Sequence, residues 1–177
     1  MLSVLVVDDS AVARRLIAHI IGAQPDMRVA GEARDGAEGL RLVATLDPDV
    51  ITMDIRMPVL DGYQATTRIM ESTPKPIIMV SAHEPAEIAR SFRAIDAGAL
   101  MVLRKPVGLG APGADAIASE LVDAIRSVSG LKMVTRRHRP HEFAAPQTIT
   151  TTARPRAERI DLVAIASEGC GKIEQLS

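Results

Sequence analysis

Val50-Ile51-Thr52-Met53-Asp54-Ile55-Arg56-Met57-Pro58, with Asp61-Gly62 close behind, sets the pattern of the whole chain. A short apolar, β-branched run ends abruptly in a carboxylate, and a proline and an Asp-Gly turn follow. Such a run reads as a strand buried in a parallel sheet, delivering Asp54 to the sheet's C-terminal edge. In open α/β sheets that edge is where ligands bind.

Upstream, Leu2 to Val7 reads as a first buried strand, broken by Asp8-Asp9-Ser10. Ser10 is placed to cap a helix over Ala11–Ile21. Val12, Leu16 and Ile20 recur at i, i+4, i+8 and are the expected inner stripe, with Arg14, Arg15 and His19 off it. Gly22 and Pro25 stop that helix. Met27 to Ala33 is a second strand, Asp35-Gly36 a turn, and Ala37–Leu46 a second helix with Leu40 and Val43 inward. Downstream of Asp54 come a helix over Gly62–Ser72 and a strand over Pro76–Val80 that ends in Ser81. A helix over Glu84–Asp96 is closed by Gly98 as its C-cap. A strand over Ala99–Leu103 runs into Arg104-Lys105-Pro106. A Gly/Pro-rich loop, Val107 to Gly113, leads to a last helix over Ala114–Ser127. Strand and helix alternate five times, which predicts an α/β fold: a doubly wound five-stranded parallel sheet with five helices on its two faces.

Composition bounds the rest. The chain has 177 residues, enough for one domain and an appendage. Its core must be aliphatic, since it holds no Trp, one Tyr and two Phe. A net charge of −1 gives no global field toward nucleic acid or membrane. The single cysteine, Cys170, rules out an internal disulfide and fits a reducing compartment. The N-terminus enters a strand directly, so no signal peptide is read there. No apolar run approaches the roughly 20 residues of a membrane span. The expected location is cytoplasmic.

Residues 1–129 form the expected domain, and composition shifts beyond it. From Lys132 to Arg159 there are seven Lys/Arg against Glu142 and Glu158, with three prolines. Residues 130–159 therefore read as a basic flexible linker, in a C-terminal tail expected to be largely disordered. Aromatics that would stack on bases are nearly absent, which argues against nucleic-acid binding. Ile160 to Ala166 reads as a new strand with too little chain after it, within 160–177, for a second domain.

Asp8 and Asp9 follow the first strand and Asp54 the third. In a sheet of order 2-1-3-4-5 those strands are neighbours, so the three acids converge at the switch point. Anions so close repel and raise one another's pKa values. A divalent cation and a fixed ammonium group would offset them. Lys105, ending the fifth strand, supplies the ammonium, and an all-oxygen donor set suits Mg²⁺. A carboxylate beside Mg²⁺ and a lysine is a good phosphoryl acceptor, because catalysis there is chiefly positioning and electrostatics. Ser81, ending the fourth strand, offers a hydroxyl to a phosphoryl oxygen. Lys105-Pro106 is a candidate cis peptide, the isomer being open at this level. Each feature alone is ordinarily bland: an Asp pair a solvated strand end, a Lys-Pro a turn, a terminal Ser a cap. Their joint order at four strand ends selects the functional reading.

On Val6-Val7-Asp8-Asp9-Ser10, Met53-Asp54-Ile55-Arg56-Met57-Pro58, Asp61-Gly62, Ser81-Ala82 and Lys105-Pro106, residues 1–128 resemble the receiver domain of two-component response regulators. The resemblance implies a flavodoxin-like fold and a phosphoryl group passed from a phosphohistidine on a sensor histidine kinase to Asp54. It implies Mg²⁺ held by Asp9, Asp54 and the backbone carbonyl of Arg56, with Asp8 acting through water. Ser81 would then move toward the phosphoryl group. The family usually has Tyr or Phe three residues before its lysine, where this chain has Val102, so an aromatic rotamer switch is not expected there. Arg56 and His83 stand where the family tunes phosphoryl lifetime, and Arg56 reads equally as a contact or a solvated charge.

The loop after Lys105-Pro106 and the segment Leu131–Arg137 resemble the receiver and linker of the chemotaxis protein-glutamate methylesterase (CheB) family. That family carries a C-terminal domain which demethylates receptor glutamates with a Ser-His-Asp triad, making chemoreceptors and a methylesterase domain implied partners. Val163-Ala164-Ile165-Ala166-Ser167-Glu168-Gly169-Cys170-Gly171 resembles the opening of that domain, with Ser167 near the nucleophile position. A Gly is missing before Ala166, and Glu168 and Cys170 depart from the pattern. His19, His83, His138 and His141 all precede Ser167 and no catalytic domain is read after it, so no methylesterase activity is expected of this chain. Competing readings are a hydrolase, a receiver that regulates a partner by binding alone, and a flavodoxin-like cofactor binder. A dehalogenase-type phosphatase needs a second Asp two residues after its nucleophile, where Arg56 stands, and no phosphate-binding loop is evident after the first strand.

Overall fold

The computed structural model describes residues 1–82, 87–106, 108 and 111–133, with backbone alone for 87–91. These residues build β1 (Leu2–Val7), α1 (Ala11–Gly22), β2 (Met27–Ala33), α2 (Gly36–Leu46), β3 (Val50–Asp54), α3 (Gly62–Ser72), β4 (Ile77–Ser81), α4 (Glu87–Ala97), β5 (Met101–Arg104) and α5 (Ala114–Ser129). The sheet has five parallel strands in the order β2-β1-β3-β4-β5. This is the expected doubly wound, flavodoxin-like architecture. From residue 134 onward, the expected linker and the 160–177 fragment with Ser167 lie outside the described residues, as does His83.

Strand pleating sorts the core into two layers. Val4 and Val6 of β1 join Ile17, Ile20 and Ile21 of α1 and Leu121 and Ile125 of α5 on one face. Leu5 and Val7 join Val43 of α2, Ile69 of α3 and Ala94 of α4 on the other. β3 and β4 are buried at every position, as strands covered on both faces must be. Each buried Val, Leu or Ile contributes about 1.5–3 kcal/mol, so this double layer is carried chiefly by aliphatic side chains, with Tyr63 its one buried aromatic among the described residues.

The caps follow local chemistry. The Ser10 side chain accepts the Ala13 N–H, and Asp35 and Asp61 cap α2 and α3 in the same way. Gly98 closes α4 at φ +107°, with Gly98 N–H bonded to Ile95 O and Ala99 N–H to Ala94 O. That pair of bonds is a Schellman motif, whose left-handed residue strongly favours glycine.

One expectation needs correction, and one open point is decided. Val12 is 79% exposed; the buried stripe of α1 is Ile17, Ile20 and Ile21, with Leu16 packed alongside. A step of four residues turns 400°, so a strict i+4 row drifts off the inner face, while an i, i+3, i+4 set stays on it. The Lys105–Pro106 peptide, a candidate cis bond, is not cis.

Candidate functional site

β1 and β3 pair directly, with Val7 opposite Met53, so the chain leaves both strands at the same sheet edge. The helices after β1 and β3 pack on opposite faces of the sheet, which opens a crevice between the two strand ends. Asp8, Asp9 and Asp54 meet there, each with a carboxylate oxygen within 4.8 Å of the others. Asp8 and Asp54 are buried, while Asp9 is exposed at the rim.

Lys105 enters from β5. Its backbone N–H donates to Ser81 O at 2.7 Å, which ties the end of β5 to the end of β4. Its Nζ lies 2.8 Å from Asp8 Oδ2 and 2.9 Å from Asp54 Oδ2. Asp54 Oδ1 accepts the N–H of Ile55 at 2.8 Å, and Asp8 Oδ1 accepts that of Ser10 at 2.9 Å. Arg14 also braces the first acid, donating to Asp8 O at 2.6 Å with Glu32 on its other side at 3.4 Å.

One ammonium therefore stands against two buried carboxylates. Burial drives the Asp54 pKa up; the Lys105 hydrogen bond and charge only partly counter this, and Asp8 adds to it. Burial alone would lower the Lys105 pKa, but its bonds to Asp8 and Asp54 outweigh that and hold it above its usual value. Asp8 Oδ2 is buried and receives no well-directed hydrogen bond, its charge partner being Lys105. An under-satisfied buried oxygen beside two further carboxylates is the donor set that a hard divalent cation takes.

The acids floor a cleft of about 960 Å³, whose lining includes Asp9, Asp54, Arg56, Ser81 and Lys105. All six sequence-predicted site residues thus come together: five line the cleft, and Asp8 lies beneath it on Lys105. Ser81 is buried, and Arg56 is exposed on the loop after β3. That loop is tight. Leu60 N–H reaches Pro58 O at 2.7 Å across Val59, whose φ is +65°. A β-branched residue there is in a strained γ-turn, of the kind that collects at functional sites.

Gly62 sits directly behind the acceptor. A Cβ built on it would lie 2.1 Å from Asp54 O and 3.0 Å from Ile55 Cα, both backbone atoms. Neither can move without shifting Asp54. Gly62→Ala is expected to lower stability by about 3 kcal/mol through overpacking and to loosen Asp54 from Lys105. Urea denaturation checks the first effect. A variant as stable as the wild type would mean that this close approach constrains nothing.

Two cleft residues escaped the sequence reading, Tyr63 and Arg93, whose guanidinium carbon lies 4.5 Å from the ring centroid. Tyr63 was visible only as the one tyrosine of the chain, and nothing in the local pattern marks Arg93.

Residues 4–111 match the response regulator receiver domain family. The chain is 46% identical over 151 residues to a protein-glutamate methylesterase/protein-glutamine glutaminase of Methanospirillum hungatei, covering 85% of this chain and 43% of that protein. It is 40% identical over 176 residues to a protein of the same description from Anaeromyxobacter dehalogenans, covering 99% of this chain and 51% of that one. It thus spans about half the length, or less, of these relatives. Among solved structures, the response regulator domain of Thermotoga maritima CheB superposes with a TM-score of 0.68 at 41% identity, covering 75% of this chain and 98% of that domain. Matching family residues, a superposable fold and an acid cluster at the switch point agree, and this chain belongs to the response regulator receiver domain family.

Proposed function

We propose that Asp54 is the phosphoryl acceptor of a chemotaxis-type signalling switch, supplied by the phosphohistidine of a sensor histidine kinase. The observation that carries this reading is a buried carboxylate, its pKa raised, held against Lys105 at the floor of an open acidic cleft. A carboxylate oxygen of Asp54 attacks phosphorus, the P–N bond of the donor breaks, and an acyl phosphate forms. The Ile55 N–H and Lys105 fix the orientation of the carboxylate before attack. Lys105 stays beside the phosphoryl oxygens and offsets their charge, and the Ser81 hydroxyl, at the end of β4 in the same cleft, would bond one of them. Asp8, Asp9, Asp54 and the Arg56 carbonyl would hold Mg²⁺, which when bound supplies further neutralisation of phosphoryl charge. Water hydrolyses the acyl phosphate and ends the signal, with Arg56 at the cleft placed to affect the rate.

We further propose that this receiver regulates a protein-glutamate methylesterase/glutaminase activity toward chemoreceptors, in the cytoplasm. The similarity to the Anaeromyxobacter protein runs over 176 residues, past the receiver into the tail, which favours this over a receiver acting by binding alone. Among the described residues no helix is long and apolar enough to cross a membrane.

Incubation with acetyl phosphate and Mg²⁺ tests the acceptor reading by intact-mass spectrometry. The expected result is a labile adduct of about 80 Da, one phosphoryl group, that is absent without Mg²⁺. A folded protein that acquires no adduct would refute it.

A further inference from the structure

We propose that Arg93 is a further phosphoryl-binding residue of this site, a guanidinium held over the Tyr63 ring that transfers to the phosphoryl oxygens once Asp54 carries them. The inference rests on the acceptor reading of Asp54. Arg93 and Tyr63 line the same cleft as Asp54, Ser81 and Lys105. Tyr63 is only 8% exposed and follows Gly62, whose backbone lies against Asp54 and donates its N–H to Ile55 O at 3.0 Å. The ring is thus fixed to the acceptor strand. Arg93 belongs to α4 and is itself exposed, but it precedes Ala94, which is wholly buried in the core layer that holds Tyr63. The stacked pair therefore joins the acceptor's own framework to the neighbouring helix.

Charge decides which way the guanidinium moves. Lys105 is already shared between Asp8 and Asp54. A phosphoryl group brings nearly two more negative charges to the cleft. Among the described residues the recorded partner of Arg93 is the Tyr63 ring, and a cation over a ring at an exposed site is weakly held. A guanidinium on phosphoryl oxygens makes short, paired, charge-assisted hydrogen bonds, which are stronger. Exchange of ring for phosphoryl is therefore downhill, and it draws α4 toward the acceptor. Arg56 also lines the cleft, but it sits on the acceptor's own loop, whereas Arg93 belongs to α4. Val102, half-buried against the layer containing Tyr63, has no polar atom with which to respond to the new charge.

Tyr63 is the sole tyrosine in a chain without tryptophan, so intrinsic emission reads the stacking directly. The experiment titrates the full chain with Mg²⁺ and then beryllofluoride, a phosphoryl mimic, following tyrosine emission in the wild type, Arg93→Ala, Arg93→Gln and Arg93→Lys. Thermal unfolding of each variant verifies its fold, and Arg93→Gln serves if Arg93→Ala does not fold. In the wild type, beryllofluoride should change the emission. The uncharged variants should begin at an altered emission, show no further change, and bind beryllofluoride about tenfold more weakly, the worth of one charge-assisted hydrogen bond. Their Mg²⁺ affinity should be unchanged, and Arg93→Lys should recover part of the beryllofluoride affinity. Equal beryllofluoride affinity and an equal emission response in the uncharged variants would overturn the inference, as would a lysine variant no better than alanine. A wild type that takes the acetyl phosphate adduct without any emission change overturns the transfer and leaves the acceptor reading standing. A wild type that takes no adduct overturns both.

Discussion

Asp54→Asn is expected to end phosphoryl uptake completely and, near neutral pH, to leave a more stable protein. The first effect is chemical: a neutral amide is not the nucleophile that a carboxylate is, Asp8 is fully buried beneath the cleft rather than lining it, and Asp9 stands at its exposed rim. The second follows from burial, which raises the Asp54 pKa despite Lys105. For an acid whose folded pKa is raised, the stabilising contribution is present below the unfolded pKa and is lost as pH rises through the folded one. Ionised Asp54 therefore weighs against the fold at neutral pH, and an amide of the same shape removes that cost. Lys105 keeps Asp8 as its partner, so no buried cation is stranded. The advantage of the variant should shrink as the medium is acidified through the raised pKa, where wild-type Asp54 becomes neutral too. Urea denaturation from about pH 4 to 8, with mass spectrometry for the adduct, reads both effects. Persistent labelling of the variant would remove Asp54 as acceptor; a stability advantage that does not depend on pH would show that charge burial is not its cause.

Lys105→Met is expected to be the most destabilising single change in the site. The lysine side chain is 12% exposed and faces two buried carboxylates. Removing one side of such an arrangement leaves uncompensated buried charge, a loss of about 3–5 kcal/mol. The pH dependence separates this from lost packing. With the ammonium gone, the buried Asp54 carboxyl, whose pKa burial already raises, loses what counters that rise, so the variant should lose stability as pH rises from acid to neutral. The wild type should hold its Lys105 contribution until well into the alkaline range, because the folded lysine pKa is raised and that stability is lost only as pH passes above it. Adding Asp8→Asn to Lys105→Met should restore part of the loss, a coupling that a double-mutant cycle measures. If the double variant is no more stable than Lys105→Met, repulsion between Asp8 and Asp54 is not the dominant cost.

The legibility of this fold comes from periodicity. β1, β3 and β4 are short β-branched runs that could only be buried strands, and the residues that break them are the ones that carry the chemistry. The Ser10 cap and the closing Gly98 act within one turn of chain, so they were readable locally, whereas Asp35 and Asp61, read as turns, prove also to cap α2 and α3. Val12 was misread for the converse reason: which face of α1 turns inward is decided by the sheet beneath it. An i+4 row in the sequence cannot be told from a neighbouring stripe until that sheet exists.

The sequence by itself determined the alternation of elements, the parallel sheet that this alternation demands, and the set Asp8, Asp9, Asp54, Ser81, Arg56 and Lys105, because each of these residues ends a strand or lies within two residues of a strand end. Tertiary structure alone decided that one ammonium is shared by two buried carboxylates and that Gly62 leaves no room behind Asp54. It alone brought Arg93 of α4 onto Tyr63 of α3 at the mouth of the cleft. Those are contacts between side chains or backbone set by sheet register and helix packing, and no local pattern in the chain encodes distances that only the packed layers define.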